Sequence, residues 1–158
     1  MENKFTVSEE KNKLNLDFIH RELSTSYWAK NIPRELVQKA IDNSMCFGIY
    51  HDNIQIGFAR VISDNATFAY LCDVIITASF RKQGAGKLLM SHIMTHPELQ
   101  GLRKFSLGTL DAHQLYKRYG FTNLNHPKRL MEISRPDIYE LKYTIASEKN
   151  INSKARTT

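Results

Sequence analysis

Apolar residues change their period several times along this chain, and each change marks an element. Phe5-Thr6-Val7 reads as a short first strand. Leu14, Leu16, Phe18, Ile19 and Leu23 then recur at helical spacing, so the pattern predicts a helix running to about Thr25. Ser26 to Ile32 is a connector, and Pro33 followed by Glu35 to Ile41 predicts a second helix with proline at its start. Met45–Tyr50 and Ile54–Ile62 flank His51-Asp52-Asn53, which is a hairpin signal. Asp64-Asn65 turns the chain into a long strand, Thr67–Ile76. A helix from about Ala85 to His96 follows and Pro97 closes it. Phe105–Thr109 predicts another strand, then comes a short helix, then a strand starting at Phe121, and a last strand at Leu130–Ile133.

The order β-αα-βββ-α-β-α-ββ predicts an α/β fold with a mixed, mainly antiparallel sheet and helices on both faces. With 158 residues and 42% hydrophobic content, the chain can bury one substantial core. A single domain over residues 1–146 is expected, with its motif-supported core at 4–133 and a polar, disordered tail at 147–158. No apolar run approaches a membrane span, and the polar start Met1-Glu2-Asn3-Lys4 lacks a signal-peptide core, so a cytoplasmic protein is expected.

Candidate chemistry enters at Arg81-Lys82-Gln83-Gly84-Ala85-Gly86, between the long strand and the helix that begins near Lys87. A strand, a basic glycine loop and a helix start aim unpaired amides and a positive dipole end at one point, so the loop reads as a phosphate cradle. It is no Walker A loop: Arg81 stands where the first glycine belongs, and Leu88 where Ser or Thr follows the lysine. It is no dinucleotide fingerprint either, since Leu89 occupies the third small position.

A second motif follows the strand at Phe105: Ala112-x-x-Leu115-Tyr116-x-x-x-Gly120-Phe121, a short helix that Gly120 stops. Together the two motifs resemble the signatures of the GNAT N-acyltransferase superfamily, and the resemblance extends roughly from Lys4 to Ile133. It implies an acetyl-CoA-dependent N-acetyltransferase that acts by direct attack of an amine. By the same resemblance, the backbone of Val74, Ile75 and Ile76 pairs with the pantetheine arm of coenzyme A. Gln83, Gly84, Ala85, Gly86 and Lys87 then take the diphosphate on their amides, while Arg81 and Lys82 screen its charge. Many family members carry an asparagine seven residues before the tyrosine; here Thr109 stands there as the cofactor contact.

Tyr116 occupies the position of the family's thiolate-protonating tyrosine, and an ordinary phenol pKa of about 10 suits that task. The rival role is packing of a helix face. No general base stands out. Asp73, just before the pantetheine residues, is a candidate base or acceptor anchor, with a structural hydrogen bond as the rival reading; Asp111 is more suited to capping a helix. Tyr27, Trp28 and Tyr70 are candidates for the acceptor pocket, with Tyr27-Trp28 alternatively stapling the first two helices together. Polyamine, amino acid, aminoglycoside, arylalkylamine and protein lysine all remain open as acceptors, and a homodimer is open through the segment after Ser134.

The net charge of +6 is split between the tail and the two motifs, which argues against a nucleic-acid partner. Six scattered histidines and two cysteines without ligand spacing predict no metal site, and Cys46 and Cys72 read as buried free thiols. The alternative to an enzyme is a noncatalytic acyl-CoA-binding module that keeps the cradle but lacks acceptor chemistry.

Overall fold

Local rules lay down the first half of the chain. A computed structural model describes residues 4–140. Strand β1 covers Phe5–Ser8, and helix α1 covers Leu16–Ser24. Asn15 caps α1 by accepting the Phe18 amide at 3.0 Å, and its own amide donates to Gln55 Oε1 at 2.6 Å. Helix α2 covers Arg34–Asp42, with Pro33 at its N-cap. Strands β2 (Met45–His51) and β3 (Ile54–Ser63) form the expected hairpin. Asp52 and Asn53 both have positive φ, at 48° and 63°, as a two-residue turn with the right twist requires.

Asp64 then organises the next turn by accepting the amides of Ala66, Thr67 and Phe68 and the Thr67 hydroxyl. Those bonds hold its carboxyl well below the usual carboxylate range. Strand β4 (Phe68–Ile76) leads to helix α3 (Ala85–Met94), strand β5 (Lys104–Leu107) and the short helix α4 (His113–Lys117).

The sheet has the spatial order β1-β2-β3-β4-β5. The first four strands pair antiparallel, and β4 pairs parallel with β5, the crossover being α3. Leu89, Met90 and Ile93 of α3 bury one face against Phe47, Ile49 and Val61. Phe18, Ile19, Val37 and Ile41 of α1 and α2 bury the other against Cys46, Phe58 and Ile75. Covered on both sides, β2 and β3 read as nearly continuous apolar runs.

Two expected strands do not form. Phe121 packs its ring on Phe105 and Tyr116, at 5.4 and 6.1 Å between centroids, without joining the sheet. Pro127–Arg129 makes a single 3-10 turn, and the expected strand Leu130–Ile133 stays extended but unpaired. Its side chains stand in solvent, Met131 at 98% and Ile133 at 90% exposure. Apolar composition there signalled strand preference, but a strand needs a neighbouring ladder, and among the described residues β5 remains the sheet's edge. The tail expected over 147–158 lies outside the described residues, as do residues 141–143, which follow a helical stretch at 138–140.

Candidate active site

The site begins where the sheet comes apart. Pairing between β4 and β5 runs from Phe68↔Lys104 to Leu71↔Leu107 and stops, while β4 continues to Ile76. A bulge accounts for the divergence. On the β3 side, Phe58 pairs with Ile75 and Arg60 with Cys72, so Ala59 alone faces both Asp73 and Val74. Asp73 takes a positive φ of 54° to make room for the extra residue. Among the described residues, the β5-facing edge of β4 from Cys72 to Ile76 therefore has no strand partner, which leaves backbone groups such as those of Val74 and Ile75 to a ligand.

The far end of this edge meets the glycine loop. Thr77 turns the chain by donating both its amide and its hydroxyl to Ile56 O, each at 2.8 Å. Arg81 Nε folds back onto Ile76 O at 2.9 Å, and Gln83 Nε2 reaches Ser79 O at 2.7 Å. Gln83 Oε1 accepts from Lys4 Nζ at 2.7 Å. These bonds make Arg81 and Gln83 braces of the loop. Gly84, at φ 94°, is the N-cap of α3 and offers no side-chain acceptor, so the first amides of the helix point outward uncapped. A Cβ on Gly84 would meet nothing within 4 Å; the left-handed backbone is what asks for glycine there.

At the near end, α4 brings Tyr116 to the mouth of the split. Burial pushes its phenol above the ordinary tyrosine range, and the Tyr27 phenol adds to the rise, which places the two phenols in each other's field. Tyr27 Oη accepts the Leu110 amide at 3.1 Å, tying the α1–α2 connector to the loop after β5. Its ring packs edge-on against Trp28, centroids 4.9 Å apart. Trp28 Nε1 donates to Asp73 Oδ1 at 3.0 Å, so the same connector also holds the β4 bulge. Tyr27 and Trp28 thus span both arms of the split.

The other oxygen of Asp73 accepts from Arg60 Nε at 2.8 Å, and Arg60 Nη1 donates to Ser44 Oγ at 3.0 Å. Both side chains of this ion pair are largely buried, Arg60 at 17% and Asp73 at 10% exposure. Asp73 is therefore anchored on both oxygens. Arg60 and Ser44 were missed by sequence reasoning. The available signal was a lone cation within the apolar run of β3.

Tyr70 stands beside Trp28 and Asp73 and lines a cavity of about 320 Å³ between the sheet and the α1–α2 layer. A Cβ on Gly108 would lie 3.0 Å from Tyr70 Oη, so a larger residue there would shift the end of that side chain. Thr109 Oγ1 accepts the Ala112 amide at 3.1 Å and so shapes the turn into α4. Among the described residues, no cluster of His, Cys, Asp or Glu is placed to hold a metal ion, and no helix is long and apolar enough to cross a membrane.

A divergent strand pair leading to an uncapped helix start is the feature that comparison with known proteins addresses. The family model for the acetyltransferase (GNAT) family matches residues 15–121. The chain belongs to the GNAT acetyltransferase family. A provisionally named GNAT acetyltransferase from Xanthomonas campestris pv. campestris has a crystal structure with 53% sequence identity and a TM-score of 0.85. That match covers 87% of this chain and 97% of the Xanthomonas chain. A provisionally named acetyltransferase from Gibberella zeae is 29% identical over 135 residues, covering 71% of this chain and 75% of its own length. A GNAT acetyltransferase from Elizabethkingia anophelis, solved with acetyl-CoA bound, is similar in fold alone, with 15% identity, a TM-score of 0.60 and coverage of 85% and 90% of the two chains.

The GNAT fold thus places Val74, Ile75 and Ile76 on one open edge and Gly84 to Lys87 at its end. Tyr27, Trp28 and Asp73 are linked at its mouth, and Tyr116 on α4 lies within the field of the Tyr27 phenol.

Proposed function

We propose that this GNAT protein transfers an acetyl group from acetyl-CoA to a primary amine by direct attack. The observation that carries the reading is the open edge of β4 that leads to the uncapped start of α3. Acetyl-CoA supplies the thioester acetyl group, which leaves its sulfur for the amine nitrogen.

The residues of the site suit that group. Amides at the start of α3 offer unpaired donors to a diphosphate, and Lys82 and Lys87 add positive charge to the same loop. The freed edge at Val74–Ile76 matches an extended amide-bearing arm. Backbone donors beside the Asp73 bulge can stabilise charge developing on the acyl oxygen. The Tyr116 O–H would give its proton to the departing sulfur, and the N–H proton shed by the acetylated nitrogen would restore the phenol through water; burial keeps the phenol protonated until then.

Asp73 serves as an anchor in this scheme. With both oxygens engaged, it fixes Trp28 and Arg60. The amine loses its proton to water on entry, a step favoured by partial desolvation beside a charge-compensated ion pair. Incubating the protein with acetyl-CoA and a panel of primary amines, and following free thiol, tests the reading. Amine-stimulated thiol release supports transfer. Tight acetyl-CoA binding with no stimulated release would instead mark the noncatalytic module, which the engagement of both Asp73 oxygens favours.

A further inference from the structure

The cavity beside Asp73 carries chemical information about the acceptor. It lies between the sheet and the α1–α2 layer, and its walls are mostly apolar, with Ile32, Val37, Phe58 and Ile62 among them. Its mouth is aromatic: Trp28 and Tyr70 are both partly exposed, and Tyr139 closes the remaining side. Tyr139 belongs to the arm beyond the family match at 15–121 and is held there by the Lys30–Glu140 ion pair at 3.4 Å. That wall is therefore a feature of this chain outside the matched family core.

Among the described residues, the only charged side chains lining the cavity are Arg60 and Asp73, and they neutralise each other at 2.8 Å. Cys72, which also lines it, is uncharged as well, since burial pushes its thiol up to about 12. A polyamine or aminoglycoside brings several ammonium groups, and each needs a carboxylate or water once inside. This cavity has one carboxylate, already engaged on both oxygens. Its volume of about 320 Å³ is roughly twice the ~150 Å³ of an apolar cavity that takes benzene. A phenyl or indole ring with a short alkyl arm fills such a space.

We infer that the acceptor is a primary amine borne on an aryl or branched-alkyl group, with that group in this cavity and its nitrogen at the Trp28–Asp73 mouth. The inference rests on the acetyl-transfer reading and narrows its substrate. Aromatic edges at the mouth align the short arm, and the absence of net charge favours the neutral, nucleophilic amine.

The test compares kcat/KM for 2-phenylethylamine, tryptamine and isoamylamine with that for spermidine, kanamycin and a lysine-containing peptide, all with acetyl-CoA. The apolar amines are expected to exceed the others by about tenfold or more, the scale set by burying one or two extra methylenes' worth of apolar surface. Ala40→Leu, which fills the cavity, should raise KM for 2-phenylethylamine by a similar factor while the Kd for coenzyme A stays within about twofold. Tyr139→Ala, which opens it, should shift preference toward bulkier aryl amines. Higher kcat/KM with spermidine, kanamycin or the peptide overturns this inference and leaves acetyl transfer standing. Thiol release that no amine stimulates overturns the transfer reading itself, and the acceptor assignment with it.

Discussion

Trp28 and Asp73 stand 45 positions apart in the chain and meet at 3.0 Å, indole N–H on carboxylate oxygen. That bond joins the connector between α1 and α2 to the bulge that pulls β4 away from β5. It couples the wall of the cavity beside Tyr70 to the open edge of β4. Trp28→Phe keeps the ring and removes the donor. A hydrogen bond to a charged group is worth about 1.5–3 kcal/mol, so KM for the acceptor should rise by about tenfold. Affinity for coenzyme A should be nearly unchanged. Steady-state kinetics alongside calorimetric titration separates the two effects; equal losses in both would remove the division of labour.

The glycine loop allows a cleaner contrast. Gly84 sits at φ 94°, where an L side chain is strained, whereas a Cβ on Gly86 would meet only Ile76 Cγ1 at an ordinary 3.8 Å. Gly84→Ala should cost about 1–2 kcal/mol of stability. For a chain of this size that lowers Tm by roughly 2–8 °C. Gly86→Ala should leave Tm unchanged but weaken coenzyme A binding, because it thickens the surface that approaches the diphosphate. If Gly86→Ala binds coenzyme A normally, the amides of the helix start are not the cradle.

Tyr116→Phe tests the proton donor. Positioned acids contribute about 10²–10⁴-fold to rate, so kcat should fall by roughly 10² while coenzyme A affinity holds. Burial raises the phenol's pKa, so the acid form persists to higher pH than in a free tyrosine. The alkaline decline in kcat should therefore begin above pH ~10 in the wild type and be missing in the variant. Retained turnover, or an unchanged alkaline limb, would reassign Tyr116 to packing on Phe121.

Much of this was legible in the sequence for reasons that can be named. Short-range rules fixed the Asp52-Asn53 hairpin, the Gly84 helix start and the left-handed stop at Gly120, φ 91°. Periodicity located four of the five strands to within one residue, and β5 began one residue early and ended at Leu107, two short of Thr109. Long-range geometry was hidden. Nothing local announces that Asp73 adopts positive φ, because the bulge depends on the register between Phe58 and Arg60. Nor could the pairing of Arg60 with Asp73 be read without knowing that both face the α1–α2 layer. The unpaired Leu130–Ile133 segment makes the complementary point: its composition suits a strand, but a strand exists only where another offers its edge.

The Arg60–Asp73 pair should also matter for stability. Removing one member of a largely buried ion pair leaves a charge without its partner and typically costs about 3–5 kcal/mol. Arg60→Met should therefore lower the urea midpoint sharply. Replacing both together, Arg60→Met with Asp73→Asn, should recover part of the loss. A single variant as stable as the wild type would show that Asp73 is solvated well enough without its partner.

The buried Cys46 thiol and that of Cys72, which is half-buried and not fully buried as its sequence context suggested, set an alkaline limit. Burial raises Cys46 to about 11 and Cys72 to about 12, from an ordinary value of 9.0. Above pH ~9 the unfolded chain releases these protons first, so folding stability declines as pH rises toward the folded-state values. Urea titrations at successive pH values above neutrality should show that fall. A double Cys→Ala variant should flatten it, and a slope that persists unchanged would place its origin in other groups.

The most direct test of the central claim is thiol release from acetyl-CoA, with and without a primary amine, run in parallel on the wild type and Gly84→Asp. Adding negative charge at the start of α3 should abolish coenzyme A binding in a protein that still melts cooperatively. The account predicts amine-stimulated release in the wild type and none in the variant. Equal stimulated release in both proteins would contradict it.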